Sequence, residues 1–221
     1  MKKTIVITGA NRGIGLAMTE VFKSQGHLVY ALCRNSSEEL NNLGVHVITD
    51  IDVATTQGIK NMKKALSGIG IDILVCNAGI LRDESLADIN LDTIREQFEV
   101  NALAPLNIVD TLQCNLNLDG KVAMITSRMG SIADNESGGR YGYRMSKAAL
   151  NAAAMSLSKD LYSQDVAVGI YHPGYVQTEM VNNNGDISAN EAAVKIVDLI
   201  HGLTLKETGV FKHSTGQVLP W

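Results

Sequence analysis

Tyr143 and Lys147 stand four residues apart at the head of the alanine-rich stretch Ala148 to Ala154, which reads as helix. That spacing puts both side chains on one helix face, within reach of each other. A phenol is a poor acid near neutrality, but a neighbouring ammonium favours the phenolate and draws its pKa down. Such a phenol can give a proton to a carbonyl oxygen as hydride arrives at the carbon. Ser127, at the end of the apolar run Lys121–Thr126, is placed to hydrogen-bond and orient the same oxygen. By itself a Tyr–Lys pair at this spacing is the ordinary pattern of an amphipathic helix surface. What makes it chemistry is a glycine turn earlier in the chain.

That turn is Thr8-Gly9-Ala10-Asn11-Arg12-Gly13-Ile14-Gly15, directly after the apolar run Thr4–Ile7. Glycine lets the backbone turn sharply and approach a ligand closely. A buried strand, a tight turn and a helix start aim free N–H groups and the positive end of the helix dipole at one point, which suits a diphosphate. Gly9, Asn11, Arg12, Gly13, Ile14 and Gly15 are therefore the candidate contacts. The spacing is Gly-x-x-x-Gly-x-Gly, and the same turn could serve another α/β domain, so its place between strand and helix carries the weight.

The second strand, His27–Leu32, ends at Cys33-Arg34, where a dinucleotide site presents the adenosine ribose. An acid there would accept from the 2′-OH of NAD, and none is present. Arg34, with Arg12 from the turn, matches a 2′-phosphate instead and favours NADP(H) over NAD(H). Asp52, followed by Val53, lies just past a third strand, Val45–Ile48, where a carboxylate could accept from the adenine amino group. Asp50, or a plain helix N-cap role, is the alternative. Asn77-Ala78-Gly79 closes a fourth strand, Ile71–Cys76, either as small residues passing close to a flat ring or as a strand-end turn.

The elements that must position these residues follow in alternation. A helix is expected from about Thr55 to Leu66, and a long helical region from about Leu91 to Leu116 that Pro105 should kink near Asn101. Asn101 is polar in the apolar setting Phe98 to Leu106, either a buried, satisfied amide or a site residue. A small and polar loop, Arg128 to Arg140, precedes the Tyr143 helix. A sixth strand, Val166–Tyr171, leads into His172-Pro173-Gly174-Tyr175-Val176-Gln177-Thr178, and a last helix runs from about Ala189 to His201. The pattern predicts one α/β Rossmann domain over residues 1–221, a doubly wound parallel sheet of about seven strands with helices on both faces.

Composition agrees. The chain has 221 residues, 45% of them hydrophobic, enough for one substantial core. A net charge of −4 argues against nucleic acid. Three irregularly spaced cysteines suggest neither disulfides nor a metal site and point to a reducing, cytoplasmic setting. No stretch is long enough to span a bilayer, so no membrane partner is expected.

In this order along one chain, the motifs resemble the short-chain dehydrogenase/reductase family. The resemblance runs from Thr8 to Thr178 and rests on Thr8-Gly9-x-x-x-Gly13-x-Gly15, Asp52-Val53, Asn77-Ala78-Gly79, Asn101, Ser127, Tyr143-x-x-x-Lys147 and Pro173-Gly174-x-x-x-Thr178. It implies a tetrad in which Tyr143 is general acid/base and Ser127 orients the carbonyl. Lys147 would lower the tyrosine pKa and hold the nicotinamide ribose, and Asn101 would fix a water in a relay behind Lys147. It also implies cofactor contacts at Pro173 and Gly174, Val176 at the carboxamide and Thr178 near the nicotinamide end. Short strings at Ser127–Ile132, His172–Val176 and Leu219–Trp221 look like the C-factor and sniffer-type carbonyl reductases.

Three features depart from the family pattern. Cys76 replaces a frequent asparagine, Ser127 and Tyr143 are sixteen positions apart with Gly138-Gly139 between them, and only Glu179 to about Ser188 separates Thr178 from the last helix. So short a cover implies an open, weakly selective pocket near Ser131, Tyr175 and Met180. The implied activity is NADPH-dependent reduction of aldehydes, ketones or quinones. The alternative is an NADP(H)-binding signalling or sensor protein of the C-factor type with incidental turnover. The intact Ser127 favours the enzyme, because a pure binder would need Lys147 but not Ser127. Relatives commonly pair through the two long helices, so homodimer and homotetramer both stay open.

Overall fold

In a computed structural model describing residues 1–221, the apolar runs become strands, and those at the centre of the sheet are buried on both faces. β1 (Thr4–Thr8), β2 (Leu28–Leu32), β3 (His46–Ile48), β4 (Ile71–Cys76), β5 (Leu116–Ile125), β6 (Ala167–His172) and β7 (Phe211–His213) form one parallel sheet. Their order is β3-β2-β1-β4-β5-β6-β7. The winding direction reverses between β1 and β4, and in such sheets ligands bind at the carboxyl ends beside that reversal. The glycine turn leaves β1 at that point.

The helices are α1 (Gly13–Ser24), α2 (Glu38–Asn42), α3 (Thr56–Ala65), α4 (Leu91–Phe98), α5 (Ala104–Leu112), α6 (Tyr141–Asp160) and α7 (Ala189–Gly202). Alternation along each strand sends successive side chains to opposite faces. Val6, Leu74, Val122 and Ile170 pack with Met62 of α3, Ile108 of α5 and Leu150 of α6. Ile5, Ile7, Val75 and Ile125 pack with Met18 and Phe22 of α1, Leu40 of α2 and Ile196 of α7. Two cores on one sheet are what the near-continuous apolar strands require. No helix is long and apolar enough to cross a membrane.

The structure refines the expected elements in three places. The interruption expected near Asn101 takes the form of an opened turn rather than a clean break. The chain opens into a π-helical turn at Glu99–Leu103, and Pro105 falls in the first turn of α5, where its missing N–H is least costly. The helix then ends at Leu112 rather than Leu116, because Leu116 pairs with Ile71 and a register shift follows before Lys121 pairs with Ile73. The seventh strand, which the sequence left unplaced, is Phe211–His213 beside β6.

Candidate active site

Lys147 and Tyr143 face inward from α6, beside the end of β5. Lys147 is 4% exposed, and its Nζ donates to the carbonyl of Ile125 at 3.0 Å and stands 5.8 Å from the centre of the Tyr143 ring. Burial in low dielectric penalises the ammonium and brings its pKa down to about 8. The same burial pushes the Tyr143 phenol up, while a hydrogen bond with Ser127 and the Arg140 guanidinium pull it down. The spacing argument expects Lys147 to lower the phenol. Desolvation outweighs these downward pulls, because the phenol lies in a water-poor site.

Ser127 is set by a polar brace that the motifs do not include. Its Oγ accepts from the N–H of Met129 at 3.2 Å and opens the 3-10 turn Arg128–Gly130. Thr126 Oγ1 donates to Asn151 Oδ1 at 2.7 Å, and Asn151 Nδ2 donates to the Gly130 carbonyl at 3.3 Å. A Cβ on Gly130 would lie 2.7 Å from the Lys147 backbone, so glycine lets this turn rest on α6. Position alone could not show that Asn151, two turns beyond Tyr143, ties the serine to the same helix.

Asn101 is the satisfied buried amide that its setting suggested, and it stands close to Lys147. From the π-helical turn its Nδ2 donates to the Ile80 carbonyl at 2.8 Å and to Ser146 Oγ at 3.0 Å, and its Oδ1 accepts from the Ile80 N–H at 2.8 Å. A Cβ on Gly79 would stand 3.2 Å from Asn101 Oδ1 and 3.6 Å from Lys147 Nζ, so Asn101, Gly79 and Lys147 converge.

The glycine turn is built by mutual close approach. Gly9 has φ +66°, and its Cβ would meet the Ala78 Cα at 2.9 Å. A Cβ on Gly15 would lie 2.2 Å from the Gly9 carbonyl oxygen. Asn77 locks the arrangement, donating from Nδ2 to the carbonyls of Thr8 and Gly9 at 3.0 and 3.1 Å. Thr8 Oγ1 in turn accepts from the N–H groups of Asn77 and Ala78 at 3.1 and 3.2 Å. Asn77 thus holds the turn with its own side chain rather than only leaving room for a ring. Gly13 opens α1, whose N-cap residue Arg12 supplies no side-chain bond and whose first turn carries no acid. Ile14 belongs to the same uncapped first turn, and Asn11 leads into it. A helix start without a cap is a fit for a diphosphate.

At the adenosine end, Arg34 is exposed at the end of β2. Arg12 is ion-paired to Glu179 at 3.0 Å, both largely exposed. Asp52 Oδ1 accepts from the Ala54 N–H at 3.1 Å, Val53 is buried, and the N-cap of α3 is Thr55, not Asp52. Asp50 adopts φ +59° and accepts from Thr49 Oγ1 at 3.3 Å.

Beyond β6, the turn at Pro173 and Gly174 is tight, with Gly174 at φ +99°. Val176 is buried and bridged to Ile187, and a Thr178 methyl lies 3.4 Å from where a Gly13 Cβ would stand. Tyr175 and Met180 are about half exposed at 49% and 45%. Ser131 is buried and its Oγ accepts from the Asp134 N–H at 3.1 Å, so that hydroxyl is engaged inside the Arg128–Arg140 loop. Ala148 and Ala152 line a shallow apolar hollow of about 300 Å³ with Ile132, Met155 and Trp221, apart from the tetrad.

Comparison with known proteins agrees with this fold. A family model described as short chain dehydrogenase matches residues 3–188. The chain is 33% identical over 224 residues to 1-hydroxy-2-glutathionyl-2-methyl-3-butene dehydrogenase of Rhodococcus sp. (strain AD45), covering 99% of each. It is 37% identical over 154 residues to the C-signal protein of Myxococcus xanthus, covering 68% of this chain and 93% of that one. Among solved structures, the NADPH-bound carbonyl reductase from chicken fatty liver superposes with a TM-score of 0.88 at 25% identity, covering 100% of this chain and 99% of that one.

Proposed function

The chain belongs to the short-chain dehydrogenase family, and from that premise we propose that it uses NADPH to reduce the carbonyl group of an aldehyde, ketone or quinone, with Tyr143 as general acid. The observation that carries this reading is the convergence of Tyr143, Lys147 and Ser127 beside an uncapped, glycine-built helix start. NADPH, when bound, supplies the hydride. The rest is work for this chain's own groups.

The free N–H groups of Gly13, Ile14 and Gly15 would hold the diphosphate, with Arg12 and Arg34 pairing with a 2′-phosphate and Asp52 accepting from the adenine amino group. Val176 and Thr178, beyond the Pro173-Gly174 turn, would flank the nicotinamide end. Ser127 donates to the substrate oxygen and fixes its direction, and Tyr143 delivers the proton as charge develops there. Lys147 holds the ribose and, as an ammonium, favours the phenolate left behind. For Asn101 as keeper of a relay water, the support is covalent: Pro105 has no N–H to offer the Asn101 carbonyl four residues earlier.

NADPH use and carbonyl substrates fit the NADPH-bound chicken carbonyl reductase, and the Rhodococcus relative is named a dehydrogenase of a hydroxy compound, the reverse direction of the same interconversion. A reducing compartment fits free Cys33, Cys76 and Cys114. The C-signal relative favours a second reading, nucleotide-dependent signalling with incidental turnover. The test is consumption of NADPH and NADH by the purified protein across aldehydes, ketones and quinones, repeated with Tyr143→Phe. Turnover with NADPH that Tyr143→Phe cuts to a small residual rate while NADPH still binds supports the enzyme. NADPH binding without turnover by the parent protein favours signalling.

A further inference from the structure

Glu84, in the loop after β4, is a carboxylate only 4% exposed. It plays no part in the chemistry above, yet its acceptors join α4 to the start of α6, the helix that carries Tyr143. Oε1 accepts from Thr93 Oγ1 at 2.8 Å and Gln97 Nε2 at 2.6 Å, both on α4. Oε2 accepts from the N–H of Gly142 at 3.2 Å, one residue before Tyr143. The Glu84 carbonyl accepts from the Arg140 N–H at 2.8 Å.

This arrangement replaces a missing cap. Arg140 precedes α6 in the left-handed region at φ +50° and gives the helix no side-chain bond. The first turn of any helix leaves N–H groups unpaired and carries positive potential. Glu84 supplies both acceptor and negative charge from a different segment. Gly142 lets α4 close onto the start of α6, since a Cβ there would stand 2.4 Å from Gln97 Nε2 and 3.0 Å from the Ile94 Cα. Neighbouring bonds extend the brace: Gln97 Oε1 accepts from the Arg82 N–H at 3.0 Å, and Arg140 Nε donates to Asp83 Oδ1 at 2.6 Å. One turn further along α6, Ser146 Oγ donates to the Tyr143 carbonyl at 2.9 Å and accepts from Asn101.

We propose that Glu84 is a positioning residue for Tyr143, clamping the first turn of α6 to α4 so that the phenol stays aligned with the substrate oxygen. The inference rests on the reading of Tyr143 as general acid. A buried carboxylate is retained where its acceptors are filled, and a displacement of an ångström is enough to cost a reacting group most of its effect.

The experiment uses Glu84→Gln, which keeps the shape but turns an amide N–H toward a donor, with NADPH and menadione as probes. Expected is a fall in kcat of about tenfold or more, with NADPH affinity within about twofold of the parent. In the Tyr143→Phe background the same change should cost nothing further, because there is no phenol left to align. An unchanged kcat, an equal loss in both backgrounds, or loss of NADPH binding together with kcat would overturn the proposal. Should Glu84→Gln fail to fold, Thr93→Val removes a single donor to the carboxylate and should lower kcat about two- to threefold on the same criteria. Full turnover by Tyr143→Phe would sink the reading of Tyr143 and this inference with it. A Tyr143→Phe reduced to a residual rate beside a normal Glu84→Gln would sink this inference alone.

Discussion

Arg12 and Glu179 are joined by a 3.0 Å ion pair that runs from the glycine turn to the segment leaving Thr178. The guanidinium proposed for the cofactor's 2′-phosphate therefore has a carboxylate already competing for it. Glu179→Gln should tighten NADPH binding about two- to threefold, the small effect proper to an exposed pair, and leave NADH binding unchanged. Fluorescence titration with both nucleotides checks this. Equal tightening of both would mean that Glu179 acts on something other than the 2′-phosphate.

Gly15→Ala should be disruptive out of proportion to one methyl. The new carbon would sit 2.2 Å from the Gly9 carbonyl oxygen and 2.5 Å from Asn77 Nδ2, so either the turn opens or the Asn77 clasp breaks. Overpacking of this kind costs roughly 1–3 kcal/mol, and cofactor affinity should fall further than that because the N–H groups move with the turn. Thermal melting and NADPH titration of the variant measure the two losses separately.

Lys147→Met should trade activity for stability. An ammonium whose pKa burial has brought down to about 8 carries a cost of roughly 3 kcal/mol at neutral pH, against which the lost bond to the Ile125 carbonyl sets about 1. The variant should gain roughly 2 kcal/mol in urea unfolding at neutral pH while losing turnover. For the parent, stability should rise with pH between about 8 and the ordinary lysine value of 10.5, because there the unfolded chain holds the proton that the folded chain has shed. A parent-to-variant gap that does not shrink across that window would contradict the assignment.

The acid limb should belong mainly to His172. Burial, with the nearby His213 and Arg128, brings its pKa down to about 3. The unfolded chain takes up a proton near the ordinary value of 6.5 and the folded chain does not, so stability is full above that value and falls below it. The expected slope is about 1.4 kcal/mol per pH unit, continuing until the folded state itself protonates. His27, His201 and His213 are lowered as well but lie nearer the surface and should add less. Urea unfolding of the parent and His172→Gln through this range separates the contributions, and an unchanged slope in the variant would clear His172.

The features legible in the sequence are those in which chemistry constrains residue type at a fixed spacing: Gly9, Gly13 and Gly15, the Tyr143–Lys147 pair, and Ser127 at a strand end. The strands could be read because both faces of a parallel sheet demand apolar residues. What escaped was set by partners distant along the chain. Asn77 looks like a strand-end turn until its amide is seen to hold Thr8 and Gly9. Asn151 and Glu84 belong to no motif, and their roles come from Thr126 and Gly142 far along the chain. The three residues of β7 lack the length to announce a strand and gain it only from β6 beside them. The phenol's upward shift was hidden for a related reason, since spacing reports the neighbouring ammonium but not how much water both groups have lost.

The π-helical turn at Glu99–Leu103 holds one more residue than a regular helical path between α4 and α5 would use. Each residue of an α-helix advances about 100° around the axis, so the surplus residue rotates everything after it by roughly that angle relative to everything before. It works as a phase shifter between two faces of one rod. Upstream, Thr93 and Gln97 are aimed at Glu84 and the start of α6; downstream, Ile108, Val109 and Leu112 are aimed at the sheet. A single deletion within the turn would leave every side chain in place along the rod yet turn one of the two interfaces toward the wrong neighbour.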